Sequence, residues 1–228
     1  MQDDMSGREV LRFAPSPNGW LHLGHAYSAL FAFDMARRLG GRLLLRIEDI
    51  DVGRCRKEYV EGIYEDLAWL DIEWETPVRR QSEHFSDYEA ALRKLRDMGL
   101  VYPCFATRKE INDAILASGI PLQAWPSDPD GAPLYPGICK DMPKARLNEL
   151  MWEGRSYAWR LDMEKAMREA VRINGGPITF REDGESLRGD TGLLSIEPEL
   201  FGDVVIARKD VPTSYHLAVT VDDALQGV

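Results

Sequence analysis

Two histidines three residues apart, His22 and His25, stand where a proline-rich loop gives way to a helical pattern. The stretch reads Arg12-Phe13-Ala14-Pro15-Ser16-Pro17-Asn18-Gly19-Trp20-Leu21-His22-Leu23-Gly24-His25. The first turn of a helix carries backbone N–H groups without partners and the positive end of the helix dipole, so it favours an anion, phosphate above all. Two imidazoles at that point can turn towards the same anion. Gly24 between them has no Cβ and leaves the backbone open to a flat base. Taken alone, H-x-G-H is equally well a pair of capping or half-exposed histidines.

A second constellation is Arg46-Ile47-Glu48-Asp49-Ile50-Asp51, with Arg54 close behind. It follows the apolar run Leu43-Leu44-Leu45, so three carboxylates are delivered at the carboxyl end of a buried strand, where open α/β sheets bind their ligands. Negative charge there suits an ammonium group; the plain alternative is a solvated acidic loop. A third stretch, Asp203 to Asp210 followed by Pro212-Thr213-Ser214-Tyr215-His216-Leu217-Ala218 and Asp222-Asp223, reads as a strand, a turn and a helix. Unaided, Tyr215 is more often a core residue than a ligand contact.

The elements that must position these groups follow a parallel α/β order. Glu9 to Phe13 is strand-like and stops at two prolines. His22 to Leu39 is helical and ends at Gly40-Gly41. Leu43-Leu44-Leu45-Arg46-Ile47 reads as a buried strand, its apolar run bounded by glycines as expected of a sheet covered on both faces. A helix is expected from Lys57 to Leu70, with Val60, Ile63, Tyr64, Leu67 and Leu70 on one face. Another is expected behind a capping box of Ser86 with Glu89, running to Gly99. The fold class is therefore α/β, a doubly wound parallel-sheet nucleotide-binding fold of Rossmann type, with its first half at 8–100.

After Leu100 the character changes. Thr107 with Glu110 predicts a capped helix, and the prolines and glycines of 121–137 break regular structure. Tyr157 to Leu161, Ile178 to Arg181 and Val204 to Ala207 read as short strands. A mixed α+β insertion domain is expected at 101–200, with the second half of the main fold starting at 201–228.

The bulk numbers set limits. The 228 residues are 44% hydrophobic and 29% charged, ample for one large domain or a domain with an insertion. No apolar run reaches the roughly 18 residues of a membrane span, and Met1 to Glu9 lacks a basic-then-apolar signal, so a cytoplasmic protein without membrane contact is expected. Cys55, Cys104 and Cys139 are odd in number and widely spaced, unlike a secreted disulfide framework. A net charge of -10 rules out polynucleotide binding by the whole surface and confines any RNA contact to a local patch.

Together the three stretches resemble the class I aminoacyl-tRNA synthetases of the glutamyl and glutaminyl branch, whose HIGH signature and R-I-E-D-x-D motif they match in register. The resemblance extends from Arg8 to Val228. It implies a ligase in which the carboxylate of L-glutamate attacks the α-phosphate of ATP, supplied as its Mg2+ complex, to give glutamyl-adenylate and pyrophosphate; the adenylate then acylates RNA. His22, Gly24 and His25 would hold ATP, with the two histidines as catalytic donors. Arg12, Phe13, Ala14, Pro15, Ser16, Glu48 and Tyr215 would form the glutamate pocket, Arg12 on a carboxylate and Glu48 on the ammonium.

The wording Tyr135-Pro136-Gly137-Ile138-Cys139 and Tyr215-His216-Leu217-Ala218 resembles the queuosine-modifying branch, which implies tRNA(Asp) carrying queuosine as the acceptor. The alternatives are the N-terminal catalytic fragment of a conventional glutamyl-tRNA synthetase and, less favoured, a non-catalytic nucleotide- or RNA-binding relic. Zinc-binding members of that branch show C-x-C followed by Y-x-x-x-C. Here Ala106 stands in place of the second cysteine, so no metal is expected and Cys104 and Cys139 are expected as buried free thiols. The resemblance also places the lysine-containing signature loop beyond Val228, so the C-terminal part of the fold is expected to be missing from these 228 residues.

Overall fold

The computed structural model describes residues 8–184, 189, 191–208 and 211–228. Met1 to Gly7 and the pair Lys209-Asp210, both used in the sequence reading, lie outside the described residues. The chain divides into two units, residues 1–91 with 213–228 and residues 92–212. The expected boundaries at 100/101 and 200/201 therefore differ from the units by nine residues at the first crossing and by twelve at the second.

The first unit is built on three parallel strands, β1 (Val10–Phe13), β2 (Arg42–Ile47) and β3 (Glu75–Arg80), in the order β1-β2-β3. Helix α1 (Leu23–Leu39) connects β1 to β2, and α2 (Lys57–Trp69) connects β2 to β3. Side chains of a strand alternate between the two faces of its sheet, and this alternation organises the unit. Phe13, Leu43, Leu45 and Ile47 face a core completed by Ala29 and Ala36 of α1 and Val60, Ile63 and Leu67 of α2, with Leu11 and Val78 packed against it. Each buried Phe, Leu, Ile or Val side chain contributes roughly 1.5–3 kcal/mol over exposure. The neighbouring positions Arg12, Arg46 and Arg79 have the opposite parity on β1, β2 and β3. Each has a carboxylate partner on α7 (Tyr215–Gln226), the helix with which the chain returns to this unit, and Arg46 and Arg79 have Glu48 and Asp87 besides.

Gly40 takes the left-handed conformation at φ 61° as it closes α1, which is the stop that Gly40-Gly41 predicted. β3 was not among the expected strands; it holds Pro77 at the edge of the three-stranded sheet, where a missing N–H need not pair inwards. The expected capping box at Ser86 is a correction. Helix α3 (Phe85–Asp97) begins one residue earlier, straight after a 3-10 turn at Gln81–Glu83, so Ser86 lies inside the helix and cannot cap it.

The second unit contains an antiparallel sheet in the order β4-β5-β8, formed by β4 (Val101–Cys104), β5 (Ala158–Leu161) and β8 (Val205–Arg208). A hairpin of β6 (Thr179–Glu182) and β7 (Gly192–Ser195) and helices α4 (Arg108–Ala117), α5 (Lys144–Trp152) and α6 (Met163–Asn174) complete it. The Thr107–Glu110 capping box is present at α4. β8 pairs with β5 in this unit, and it is at Thr213 that the chain rejoins the first. No helix of the described residues is long and apolar enough to cross a membrane.

Candidate active site

β1 and β2 are parallel and joined through α1, so the exit of β1, the start of α1 and the exit of β2 share one edge of the sheet. Backbone bonds lock the two exit loops together: the Glu48 N–H donates to Pro15 O at 3.0 Å and the Arg56 N–H to Pro17 O at 3.1 Å. Pro15 and Pro17 are buried and Ser16 is exposed between them. Trp20, three residues beyond Pro17, lays its ring against Gly62 of α2, where a Cβ would stand 2.5 Å from the ring, and meets Tyr59 edge-on at 5.0 Å. The signature loop is thus held from both ends before it reaches the histidines.

His22 is the N-cap of α1. Its Nδ1 accepts from the Gly24 N–H at 3.1 Å, and the Nδ1 of His25 accepts in return from the His22 N–H at 3.2 Å, a reciprocal box made of two imidazoles. The capping role left open by the sequence is therefore real, and it has a chemical consequence. A neutral imidazole that accepts at Nδ1 carries its proton on Nε2, so each ring keeps one Nε2–H donor for another partner. The rings lie 3.9 Å apart at their centroids, and burial first, then the charge of His22, lowers the pKa of His25. His25 is thereby biased towards its neutral form. Gly24 has a reason beyond access for a base: a Cβ there would come within 3.1 Å of the His22 ring.

The charged part of the site lies on the reverse face of the sheet. Arg12 binds Asp223 through Nε and Nη2, at 2.7 and 3.1 Å. Arg46, fully buried, donates to Asp223 Oδ1 at 2.7 Å and to Glu48 Oε1 at 3.0 Å. Glu48 and Tyr215 are near enough to act electrostatically on Arg12. Burial raises the pKa of Glu48, only partly offset by Arg46 and Arg12. For Asp223 burial acts in the same direction, but the bonds from Arg12 and Arg46 outweigh it and hold that carboxyl below its ordinary value. Two neighbouring carboxyls are thus pushed apart, and Glu48 is the one whose charge is under-compensated.

The other two carboxylates of the acidic motif have partners of their own. Asp49 is buried and accepts from the Ser82 N–H and hydroxyl and from Arg80, while Asp51 pairs at the surface with Arg54. Asp222, fully buried, accepts from Arg79 at 2.7 Å, Gln81 at 2.8 Å and the Tyr88 hydroxyl at 2.9 Å.

Of the residues singled out from sequence, Arg12, Glu48 and Tyr215 are brought together, and His22, Gly24 and His25 form one helix start on the same sheet edge. The Phe13 side chain is in the core, so any ligand contact there comes from its backbone. Ala14 is half-buried beside it. Sequence reading missed Arg46 and Asp223 as the groups that orient Arg12 and Glu48. The available signal was an arginine inside an otherwise apolar strand, since a buried charge requires a counter-charge.

Cys104 and Cys139 are buried free thiols. The Cys104 thiol donates to the Tyr135 hydroxyl at 3.3 Å, which also accepts from the Cys139 N–H at 2.8 Å. Structural zinc takes four ligands, and with Ala106 beside two thiols and a phenol the set is one donor short. Among the described residues no three His, Cys, Asp or Glu side chains gather to hold a metal, and these residues do not fit a closed zinc site.

Comparison with known proteins gives a consistent result. Residues 9–228 match the family model for the catalytic domain of class I tRNA synthetases (E and Q). The chain is 44% identical to the glutamyl-Q tRNA(Asp) synthetase of Rhodobacter capsulatus over 96% of its own length and 74% of the relative's. It is 36% identical to the glutamate–tRNA ligase of Aquifex aeolicus, of which it spans 41%. The glutamate–tRNA synthetase structure from Elizabethkingia anophelis superposes with a TM-score of 0.71 at 24% identity, over 97% of this chain and 43% of that one, which establishes the shared fold.

Proposed function

The chain belongs to the class I tRNA synthetases for glutamate and glutamine, and from that premise we propose that it activates L-glutamate with ATP and passes the glutamyl group to the queuosine base at the wobble position of tRNA(Asp). The observation that carries the activation step is the reciprocal box at the start of α1, which commits both Nδ1 atoms and leaves two Nε2–H donors. His22 and His25 hold the triphosphate and stabilise the charge that grows on the α-phosphate when the glutamate carboxylate attacks. The Gly24 backbone admits the adenine. ATP would enter as its magnesium complex, which would supply positive charge to offset that of the pyrophosphate.

On the sheet's reverse face, Arg12 takes a carboxylate of glutamate and Glu48 its ammonium, with Ser16, Tyr215, the Ala14 and Pro15 segment and the Phe13 backbone closing the pocket. The under-compensated charge of Glu48 supports this assignment, because a cation bound beside it supplies what Arg46 and Arg12 leave lacking. Holding two anions in line for attack is most of what the site has to do.

The acceptor assignment rests on the relatives named glutamyl-Q tRNA(Asp) synthetase and on His216 following Tyr215. A second reading, glutamylation of a tRNA 3′ end, draws on relatives named glutamate–tRNA ligase. Glutamate-dependent exchange of pyrophosphate into ATP, measured with and without tRNA, separates them. Exchange without tRNA and acylation of queuosine-containing tRNA(Asp) are expected; exchange that needs tRNA, with glutamate going to tRNA(Glu), overturns the acceptor assignment. Absence of exchange under both conditions overturns the activity.

A further inference from the structure

With a net charge of -10, a polynucleotide can be held only where cations gather locally. Such a place lies in the first unit, outside the groups assigned to glutamate and ATP. A cavity of about 360 Å³ is lined by Arg56, Lys57 and Arg80 against a single carboxylate, Asp49, with Ser82 at its wall. The carboxylate is saturated, since it accepts from the Ser82 N–H at 2.8 Å, the Ser82 hydroxyl at 2.8 Å and Arg80 Nη2 at 2.9 Å. Arg80 Nε is buried, makes no hydrogen bond and has Glu83 Oε1 at 4.0 Å.

The other two cations are held loosely. Arg56 Nη1 is 3.5 Å from Glu58, and Lys57 Nζ is 3.1 Å from Glu61, with side chains 65% and 89% exposed. Exposed pairs of this kind are weak and are readily exchanged for a phosphate. Arg54, on the same loop, is also exposed and paired with Asp51. The cavity wall therefore carries three cations against one carboxylate that is already saturated, with Glu58, Glu61 and Glu83 as loosely held counter-charges outside the lining, and the Pro17–Arg56 backbone bond ties its rim to the signature loop.

We infer that this cavity is an anion subsite that takes a backbone phosphate of the RNA acceptor, with Arg56, Lys57 and Arg80 as its ligands. The inference rests on the proposed RNA substrate, and its test reads RNA binding apart from amino-acid activation. The doubly reversed variant Arg56→Glu/Lys57→Glu changes exposed side chains only, and a far-ultraviolet circular dichroism spectrum checks its fold. RNA affinity is measured by fluorescence anisotropy over a range of salt, beside glutamate-dependent pyrophosphate exchange and titration with free pyrophosphate.

The expected result is RNA affinity at least about tenfold weaker and a log affinity against log salt slope shallower by roughly one to two, with exchange within about twofold of the parent. Unchanged RNA affinity and slope overturn the subsite. A raised KM for ATP or lost pyrophosphate binding, with RNA affinity intact, overturns the RNA assignment in favour of a free nucleotide phosphate. If the parent shows no exchange yet its RNA binding depends on Arg56 and Lys57, the subsite stands and the proposed activation reaction falls.

Discussion

Arg12 and Asp223 are 211 residues apart in the chain and meet through two bonds, Nε to Oδ1 at 2.7 Å and Nη2 to Oδ2 at 3.1 Å. The same carboxylate accepts from Arg46, which has no exposed surface. Replacing Asp223 by Asn removes the ion-pair partner of Arg12 and leaves Arg46 with Glu48 and the more distant Asp222. Breaking a buried pair costs about 3–5 kcal/mol; with Asp223 a quarter exposed, the expected loss is about 2–3 kcal/mol, read from urea unfolding of the parent and variant. A loss under about 0.5 kcal/mol would show that the pair is only geometrically close.

The histidines combine two roles that separate by magnitude. His22→Ala or His25→Ala removes a cap, worth about 0.5–2 kcal/mol of stability, and also removes an Nε2–H donor. Loss of one preorganised donor costs about a hundredfold or more in rate. Pyrophosphate exchange should therefore fall about a hundredfold while the unfolding midpoint moves modestly. A rate loss that merely tracks the lost stability would reduce the pair to helix caps.

Acidification should reach His25 in a defined sense. Its folded-state pKa is lowered, by burial and then by His22, so the folded protein binds that proton less readily than the unfolded chain does. The stability contributed by neutral His25 is complete above the ordinary imidazole value and declines as the pH falls from there towards the lowered folded value. Proton-detected NMR of the His25 ring during an acid titration follows this directly; a midpoint above the ordinary value contradicts it.

Glu48 titrates the other way. Its folded pKa is raised, chiefly by burial, so the ionised form costs stability that is recovered as the pH falls through the raised value towards the ordinary one. An ammonium group needs the ionised form. The KM for glutamate should rise as the pH is lowered from about 8 to about 5, and Glu48→Gln should raise KM throughout and flatten the profile. A variant that keeps the parent's slope would show that another group governs it.

Gly62→Ala tests how the signature loop is supported. Alanine favours the helix by about 1 kcal/mol, but its Cβ would lie 2.5 Å from the Trp20 ring, so the ring must leave its seat against α2. Global stability should change by less than about 1 kcal/mol, while exchange slows as the residues before His22 shift. Unchanged exchange would show that Trp20 does not position the histidines.

Much of the first unit was legible in the sequence because its signals are local. Gly40 stops α1, the Leu43–Ile47 run is a buried strand, and the periodicity of α2 is carried by Val60, Ile63 and Leu67. The start of α3 was misplaced because Ser86 and Glu89 fit a capping pattern, while the 3-10 turn at Gln81–Glu83 supplied the helix start instead. β3 went unassigned; Glu75–Arg80 has no apolar run or alternation to mark it, and its Pro77 is tolerated at the sheet edge. Arg12, Glu48 and Tyr215 were found through resemblance, but their orientation by Arg46 and Asp223 was not, because helix periodicity does not say which strand an acidic pair will meet.

The arginines of β1, β2 and β3 all look to Asp222 and Asp223 for their charge balance, and that has a bearing on how the polypeptide matures. When residues 1–91 have been synthesised, Arg46 has Glu48 and Arg79 has Asp87, but Asp222 and Asp223, which complete the arginine layer and give Arg12 its ion pair, still lie more than 120 residues downstream. Residues 92–212 can settle around their own sheet in the meantime, whereas the N-terminal layer reaches its final form once α7 is made. A nascent chain stalled before Asp222 should therefore be more open to protease in its first 91 residues than in the unit that follows.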